Sequence, residues 1–271
     1  MTNIWIILAL VLVVSACGRS PYLSIEEMTR QQRAAQRVEE VRVYTTSTPD
    51  QPRDLYRRLQ LDECGYPLYD VYYYESDGVL DSLLTVYTVA EGGRIVSAVN
   101  RDSRGESTTT YEYDEANGRL LTETYSFPDE KRYRYTYDKR GRLLTRITDY
   151  RGIRNEWVAS ERETYTYKKG VLTEKQHYYG DELATIISYR YDAQDQVTQQ
   201  QFKTPEGDNF SNIDYTYRAD RLLRQRVVSL QPSGRDVYEV YEYIIREGAD
   251  TGAAFDCAAQ ATPEQGDTFD Q

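Results

Sequence analysis

The sequence predicts a mainly β protein, an antiparallel meander of about 13 to 16 strands with one short N-terminal helix. Pairs of tyrosines two residues apart recur between residues 66 and 245, in steps of about 24 to 30 residues over most of this range, which is typical of a repeat architecture. Turn residues such as Asn117-Gly118 separate the tyrosine-rich segments. The chain has 27 Tyr but only 5 Phe, a preference that suits half-exposed strands better than a dry core.

Each repeat unit is expected to contain a β-hairpin. Residues 111–121 read Tyr-Glu-Tyr-Asp-Glu-Ala-Asn-Gly-Arg-Leu-Leu, and residues 135–144 repeat this pattern. Tyrosines two apart lie on the same face of a strand, and Asn-Gly accepts the positive φ of a tight turn. A second, more variable set of turns implies two strands per unit. We therefore expect the strands to form either an open curled sheet or a tube.

The motif Tyr-x-Tyr-Asp-x-x-Gly-Arg-Leu resembles the YD repeat of the Rhs/YD-repeat proteins. The match is best at residues 111–121 and 135–144 and partial at residues 189–192. In that family, strings of β-hairpins form sheets that spiral into a shell or tube. The resemblance therefore implies a curved array of hairpins. We infer only the shape from this resemblance, and not the toxin delivery of the large family members.

The N-terminus carries an apolar run, residues 4–14, that is too short to span a bilayer but has the length of a signal-peptide core. It ends in Val14-Ser15-Ala16-Cys17, which resembles the bacterial lipobox, in which the cysteine is acylated and the preceding bond is cut. The resemblance implies a signal peptide over residues 1–17, acylated Cys17, a tether over 18–23 and an outer-membrane location. A plain secretory signal or a buried apolar segment is the alternative, since residues 1–5 contain no Lys or Arg.

The remaining chain divides into three predicted segments. Residues 24–60 hold a helix over 24–40, with Ser24 and Glu27 as a capping box, and a first strand. Residues 61–247 form the Tyr-rich β-repeat domain, and residues 248–271 an acidic flexible tail. Once Cys17 is acylated, Cys64 and Cys257 remain, and in an oxidising compartment we predict that they form a disulfide, with two unpaired thiols as the alternative.

Composition and motifs exclude several function classes. A formal net charge of −11 argues against nucleic acid as a partner. One histidine, His177, cannot build a histidine-rich metal site, and there is neither a P-loop nor a Rossmann fingerprint. We therefore expect no metal, no cofactor and no catalytic residue. Carboxylates are plentiful, but their spacing does not indicate any particular acid–base pair.

The candidate binding surface is a ladder of aromatic side chains along one strand face. Its members are Tyr111, Tyr113, Tyr135, Tyr137, Tyr165, Tyr167, Tyr189 and Tyr191, with Trp157 as a platform for a glycan or peptide. The alternative is that these tyrosines form the packed inner face of the sheet.

We expect a non-enzymatic interaction or structural module of the cell envelope. It would be held to the lipid bilayer by acylated Cys17, with an envelope protein or a glycan as its partner. A glycan- or cell-wall-polymer-binding surface lipoprotein is the first alternative, and a carboxylate-dependent hydrolase is the second.

Overall fold

The structure, a computed structural model, describes residues 25–48, 53–76, 79–90, 94–126, 130–152, 154–230 and 233–246. A single helix, α1 (Ile25–Ala35), precedes sixteen strands. They are β1 (Val38–Thr46), β2 (Asp54–Leu61), β3 (Pro67–Ser76), β4 (Val79–Val89), β5 (Ile95–Asp102), β6 (Gly105–Tyr113), β7 (Leu120–Tyr125), β8 (Lys131–Tyr137), β9 (Leu143–Arg151), β10 (Trp157–Lys168), β11 (Val171–Tyr179), β12 (Glu182–Tyr191), β13 (Val197–Lys203), β14 (Asn209–Tyr217), β15 (Leu223–Leu230) and β16 (Arg235–Ile245).

The strands form one closed antiparallel barrel in which every strand pairs with its sequence neighbours and β16 pairs with β1. In the closing pair, Val41 lies opposite Tyr243 and Val43 opposite Tyr241. The prediction of a mainly β meander with one short helix is confirmed. The open curled sheet is wrong, because β1 and β16 bond to each other and the sheet has no free edge.

The face that carries the Tyr-x-Tyr pairs is the inner face of the barrel. The register joins its residues around the wall; for example, Tyr135 lies opposite Arg146 and Arg146 opposite Glu163. Most of the best buried side chains belong to this face. Val41, Leu59, Asp70, Ala98 and Thr109 each expose 5% or less of their surface.

The apolar core of the barrel lies at the closing seam, where β1 pairs with β16. Its buried cluster consists of Val38, Val41, Val43, Leu59, Leu61 and Leu222, with Tyr241 and Tyr243 packed against it. These residues come from β1, β2, β16 and the turn before β15, so burial of apolar surface favours closure at this place.

Helix α1 packs on the turn between β2 and β3. The Arg30 side chain donates a hydrogen bond of 2.5 Å to the Cys64 carbonyl and lies over the Tyr66 ring, 4.3 Å from its centroid. At Gly65 the helix backbone is so close that an added Cβ would lie 2.7 Å from the Arg30 carbonyl oxygen. We call this end of the barrel, where the turns 62–66, 114–119, 138–142, 192–196 and 218–222 lie, the helix end.

The helix is shorter than the sequence predicts. It ends at Ala35, and Arg37 adopts a positive φ of 56° that breaks the helical path. Residues Val38 to Glu40, predicted to be helical, instead belong to β1, because pairing with both β16 and β2 outweighs their helix propensity. The proposed N-cap Ser24 lies outside the described residues.

The predicted segment boundaries agree with the structure only in part. The division at residue 61 falls at the last residue of β2, inside the continuous sheet, because β1 and β2 are both barrel strands. The predicted signal peptide, tether and tail, residues 1–17, 18–23 and 248–271, lie outside the described residues.

Candidate functional site

The Tyr74 hydroxyl of the Tyr72/Tyr74 pair donates to the Asp81 carboxylate at 3.1 Å. In the six other pairs, the second tyrosine fastens one hairpin to the preceding one. Its hydroxyl donates to a backbone carbonyl, from Tyr113 to Ile95 (2.8 Å), Tyr137 to Leu120 (2.9 Å), Tyr167 to Leu143 (3.0 Å), Tyr191 to Leu172 (2.6 Å), Tyr217 to Val197 (2.8 Å) and Tyr243 to Leu223 (2.8 Å). Each acceptor lies opposite a shift in strand register, where the regular ladder is interrupted. These tyrosines therefore hold the wall together.

The other residues of the YD-like motif also serve the wall. The Asp138 carboxylate accepts hydrogen bonds from the backbone N–H groups of Arg140 (2.8 Å) and Arg142 (2.9 Å), which closes the turn. Gly141 supplies the positive φ of 84°. The Arg119 guanidinium of the preceding hairpin lies over the Tyr137 ring at 5.8 Å. The residues of the motif therefore have structural roles in the barrel wall.

Replacing Tyr137 with phenylalanine is expected to lower the free energy of unfolding by about 1 kcal/mol, because the Leu120 carbonyl loses its donor. Urea denaturation measures the change. Tyr179→Phe is the matched control, since the Tyr179 side chain is 59% exposed and should change stability by less than about 0.5 kcal/mol. Equal stability of the two variants would mean that water replaces the hydroxyl.

Several first tyrosines of the pairs lie among charged side chains on the inner wall. The first such group is an ion pair between β2 and β3. Arg57 donates to both oxygens of Asp70, at 2.9 Å from Nε and 2.6 Å from Nη2, and Asp70 is only 2% exposed. The same guanidinium lies 4.7 Å from the centroid of the Tyr72 ring. Burial, with Asp70 adding to it, raises the pKa of the nearby Tyr87 to about 12.

Glu163 is the centre of a second cluster, between β9, β10 and β11. It is 6% exposed, and it lies 2.9 Å from both Lys175 Nζ and Arg146 Nε. The Tyr165 hydroxyl donates to it at 2.5 Å. Burial opposes ionisation, but Lys175, Tyr165 and Arg146 together hold the pKa of Glu163 below its ordinary value.

Two further glutamates complete the pattern. Glu123 accepts from the hydroxyls of Tyr135, at 2.8 Å, and of Tyr125. Glu239 accepts from the Tyr241 hydroxyl at 2.9 Å and from Arg226. Burial raises the pKa of Tyr135, and the charge of Glu123 adds to this. The inner wall is thus a polar, hydrogen-bonded surface of tyrosines and ion pairs.

Seven carboxyl groups of the barrel have a pKa that favours their ionised form. Every described carboxyl whose pKa departs clearly from its ordinary value has a lowered pKa. These groups are Glu40, Asp81, Asp102, Asp138, Asp149, Glu163 and Glu206. A carboxyl that acts as a general acid needs a raised pKa. The lowered pKa values of these carboxyls instead suit pairing with cations and backbone donors.

The structure does not bring Trp157 together with the tyrosine ladder. Trp157 lies opposite Arg151 on the outer face, and its ring is approached by the guanidinium groups of Arg132 at 4.7 Å and Arg151 at 5.0 Å. Arg132 also donates to Asp149, which is 1% exposed. The predicted shared surface is therefore split, with the tyrosines inside the barrel and Trp157 outside. Tyr111 and Tyr189 share the inner face with the other six.

His177 lies on the inner face near the end opposite the helix end. Its ring is 4.8 Å from that of Tyr179, and its Nε2 is 3.5 Å from a Glu161 carboxylate oxygen. Within the described part of the chain, no group of three or more His, Cys, Asp and Glu side chains is placed to hold a metal ion. None of the described helices has the length and apolarity needed to cross a membrane.

Cys64 lies in the turn beneath α1 and is 8% exposed. Cys17 and Cys257 both lie outside the described residues. The pairing of Cys64 with Cys257 and the acylation of Cys17 therefore stay predictions.

The outer face of the barrel carries charged side chains on many strands and an apolar stretch on β3 to β5, with Val71, Leu84, Val86 and Val99. Outward-facing charged residues follow the wall around much of its circumference, among them Arg42, Arg58, Glu112, Arg134, Arg162, Arg190, Asp214 and Glu242.

No family model matches the chain, and no curated protein matches it. Among solved structures, a porin-like protein from Bacteroides uniformis has a TM-score of 0.54 at 10% identity, covering 76% of this chain and 98% of that one. A porin-like protein from Bacteroides vulgatus has a TM-score of 0.34 at 12% identity over 76% and 98% of the two chains. A DUF1329 family protein from Desulfovibrio piger has a TM-score of 0.24 at 8% identity over 89% and 100%. The first likeness shows the fold alone.

Proposed function

We propose that this chain is a lipid-anchored, non-enzymatic interaction module of the bacterial cell envelope. The observation that carries the proposal is the charged outer wall of a closed barrel, with residues such as Arg134 and Arg162 at mid-height. A barrel that crosses a membrane presents an apolar band to the lipid, which these charges would interrupt, so we infer that attachment to a membrane uses a separate device. The lipobox-like segment ending at Cys17 supplies that device, because two or three acyl chains hold a protein stably on a bilayer.

The charged side chains of the inner wall support a non-enzymatic role. The carboxylates of Asp70, Glu163 and Glu239 are each bound by arginine or lysine, and those of Glu163 and Glu239 also accept tyrosine hydroxyls. Acid–base catalysis by a carboxyl group calls for a pKa raised towards neutrality. The shifted pKa values of the described carboxyls run the other way, which disfavours the hydrolase alternative.

The glycan-binding alternative gains no support from its main candidate. A sugar ring stacks on an open aromatic face, whereas Arg132 and Arg151 already lie over the Trp157 ring. The proposed interaction therefore uses a surface other than Trp157.

The anchor is tested by expressing the full chain in a Gram-negative host and fractionating the cells. We expect the wild-type protein in the membrane fraction, with a clickable palmitate analogue incorporated at Cys17. The Cys17→Ser variant should lose the label and should no longer be held in the membrane fraction by an acyl group. Ser15→Ala, which keeps a small residue before the cysteine, is the matched control and should behave like wild type. An unlabelled wild-type protein would overturn the anchor.

A further inference from the structure

The outward-facing side chains of β4 carry no charge from Leu80 to Thr88. Leu83 and Thr85 lie opposite the inner-face residues Tyr72 and Asp70, so the alternate residues of β4 point outward. These outward residues are Leu80, Ser82, Leu84, Val86 and Thr88. Leu80 is 74% exposed and Val86 is 39% exposed, so β4 presents aliphatic surface to the outside of the barrel.

The neighbouring strands extend this surface on both sides. Tyr69, Val71 and Tyr73 of β3 lie opposite Val86, Leu84 and Ser82, and Val99 of β5 lies opposite Val86. The nearest outward charges are already paired. Arg58, opposite Val71, lies 2.7 Å from Glu40, and Arg101, opposite Leu84, lies 2.7 Å from Glu106. We call this surface the apolar patch, defined by Tyr69, Val71, Tyr73, Leu80, Leu84, Val86 and Val99.

The apolar patch lies on the side of the barrel where the N-terminal segment reaches the wall. Tyr66, which the Arg30 side chain of α1 covers, is three residues before Tyr69 on the same hairpin. Arg30 is separated from Ile25, the first residue of α1, by about 7.5 Å of helix. Residues 18–24 connect Ile25 to Cys17, and a chain of this length spans at most about 28 Å. An acyl group on Cys17 would therefore keep the apolar patch within reach of the bilayer.

We propose that the apolar patch is the face of the barrel that rests on the lipid bilayer. Aliphatic side chains gain free energy when lipid covers them, and tyrosines favour the bilayer interface, where the ring is buried and the hydroxyl stays hydrated. The net charge of −11 is repelled by anionic lipid, so an uncharged surface is the part of the barrel best able to approach the bilayer. The inference rests on the proposed lipid anchor and adds which side of the barrel faces the membrane.

The test reconstitutes the full chain into phosphatidylcholine vesicles that contain a phosphatidylcholine with a photoactivated diazirine in its acyl chain. Mass spectrometry then locates the crosslinked residues in vesicle-bound protein. Within the barrel, we expect crosslinks to concentrate in residues 69–99. The double variant Leu84→Asp, Val86→Asp should stay bound through the anchor but lose crosslinks in this segment by about a factor of five, because a carboxylate resists transfer out of water.

Ile147→Asp is the matched control. It makes the same aliphatic-to-acid change on the outer face of β9, where Ile147 lies opposite Arg134 and Arg162. We expect this variant to keep the wild-type crosslinking pattern. Thermal unfolding followed by circular dichroism checks that both variants fold, and the wild-type pattern tests the inference without either of them.

Three results would overturn the inference. In the first, vesicle-bound wild type is labelled no more in residues 69–99 than in residues 143–191. In the second, the double variant keeps its crosslinks in residues 69–99. The third is a dimer in light scattering that the double variant dissociates, with no lipid label in residues 69–99, which would assign the apolar patch to a second copy of the chain. The palmitate label on Cys17 reports the anchor separately, so failure of the anchor and failure of the apolar patch are distinguishable.

Discussion

Glu163→Gln is expected to lower the free energy of unfolding by about 3–5 kcal/mol, because it leaves two buried cations without their counter-ion. Arg146 and Lys175 each lie 2.9 Å from this carboxylate, and Glu163 is 6% exposed. Urea denaturation at pH 7 measures the loss. Glu182→Gln makes the same chemical change at the exposed first residue of β12 and should cost less than about 0.5 kcal/mol.

The pH dependence separates charge from packing in this variant. The pKa of Glu163 is lowered in the fold, so its stabilisation is present above the ordinary value of 4.5 and is lost as pH falls through the folded pKa. The stability gap between wild type and Glu163→Gln should therefore shrink as pH falls below 4.5. A gap that stays the same at low pH would show that shape, and not charge, accounts for the effect.

Gly65→Ala is expected to cost about 2–5 kcal/mol, the combined effect of a left-handed backbone and a steric clash. Gly65 has a φ of 77°, and an added Cβ would lie 2.7 Å from the Arg30 carbonyl oxygen and 3.3 Å from the Ala34 nitrogen. Both contacts are backbone atoms of α1, which cannot rotate away. The helix should therefore separate from the β2–β3 turn in this variant.

Gly170→Ala is the control for the backbone effect alone. Gly170 also has a positive φ, 95°, but nothing lies within 4 Å of the position of its Cβ. We expect this variant to lose about 1 kcal/mol and to keep the helix docked. Limited proteolysis near α1, combined with urea denaturation, measures both effects. Equal costs for the two variants would mean that the helix does not press on Gly65.

The tyrosine repeat predicts most of the sheet because local signals fix each hairpin. In residues 135–144, the Tyr-x-Tyr spacing sets the strand face and Asp138 with Gly141 sets the turn. Closure is not predictable in this way. Val38–Thr46 carries no tyrosine pair, and its partner β16 lies about 200 residues further along the chain, so no local pattern connects them.

The sequence does indicate where the inner-wall carboxylates lie, although the spacing of the tyrosines alone does not. Asp70, Glu163 and Glu239 each stand two residues before a Tyr-x-Tyr pair, which places the carboxylate on the same strand face as the tyrosines. Because the partners Arg57, Arg146 and Arg226 come from other strands, only the register identifies them. The docking of α1 on the turn between β2 and β3 is likewise encoded by no periodicity.

The pairing of β1 with β16 also determines when the barrel can close during synthesis. A chain that leaves the ribosome or translocon N-terminus first must keep β1 unpaired on one side until β16 arrives, about 200 residues later. During that time the unpaired edge and the apolar side chains of Val41 and Val43 are open to other strands. The hairpins between them can form early, since their contacts are local. Completion of the barrel is therefore the last and slowest step of folding, and the step most exposed to aggregation.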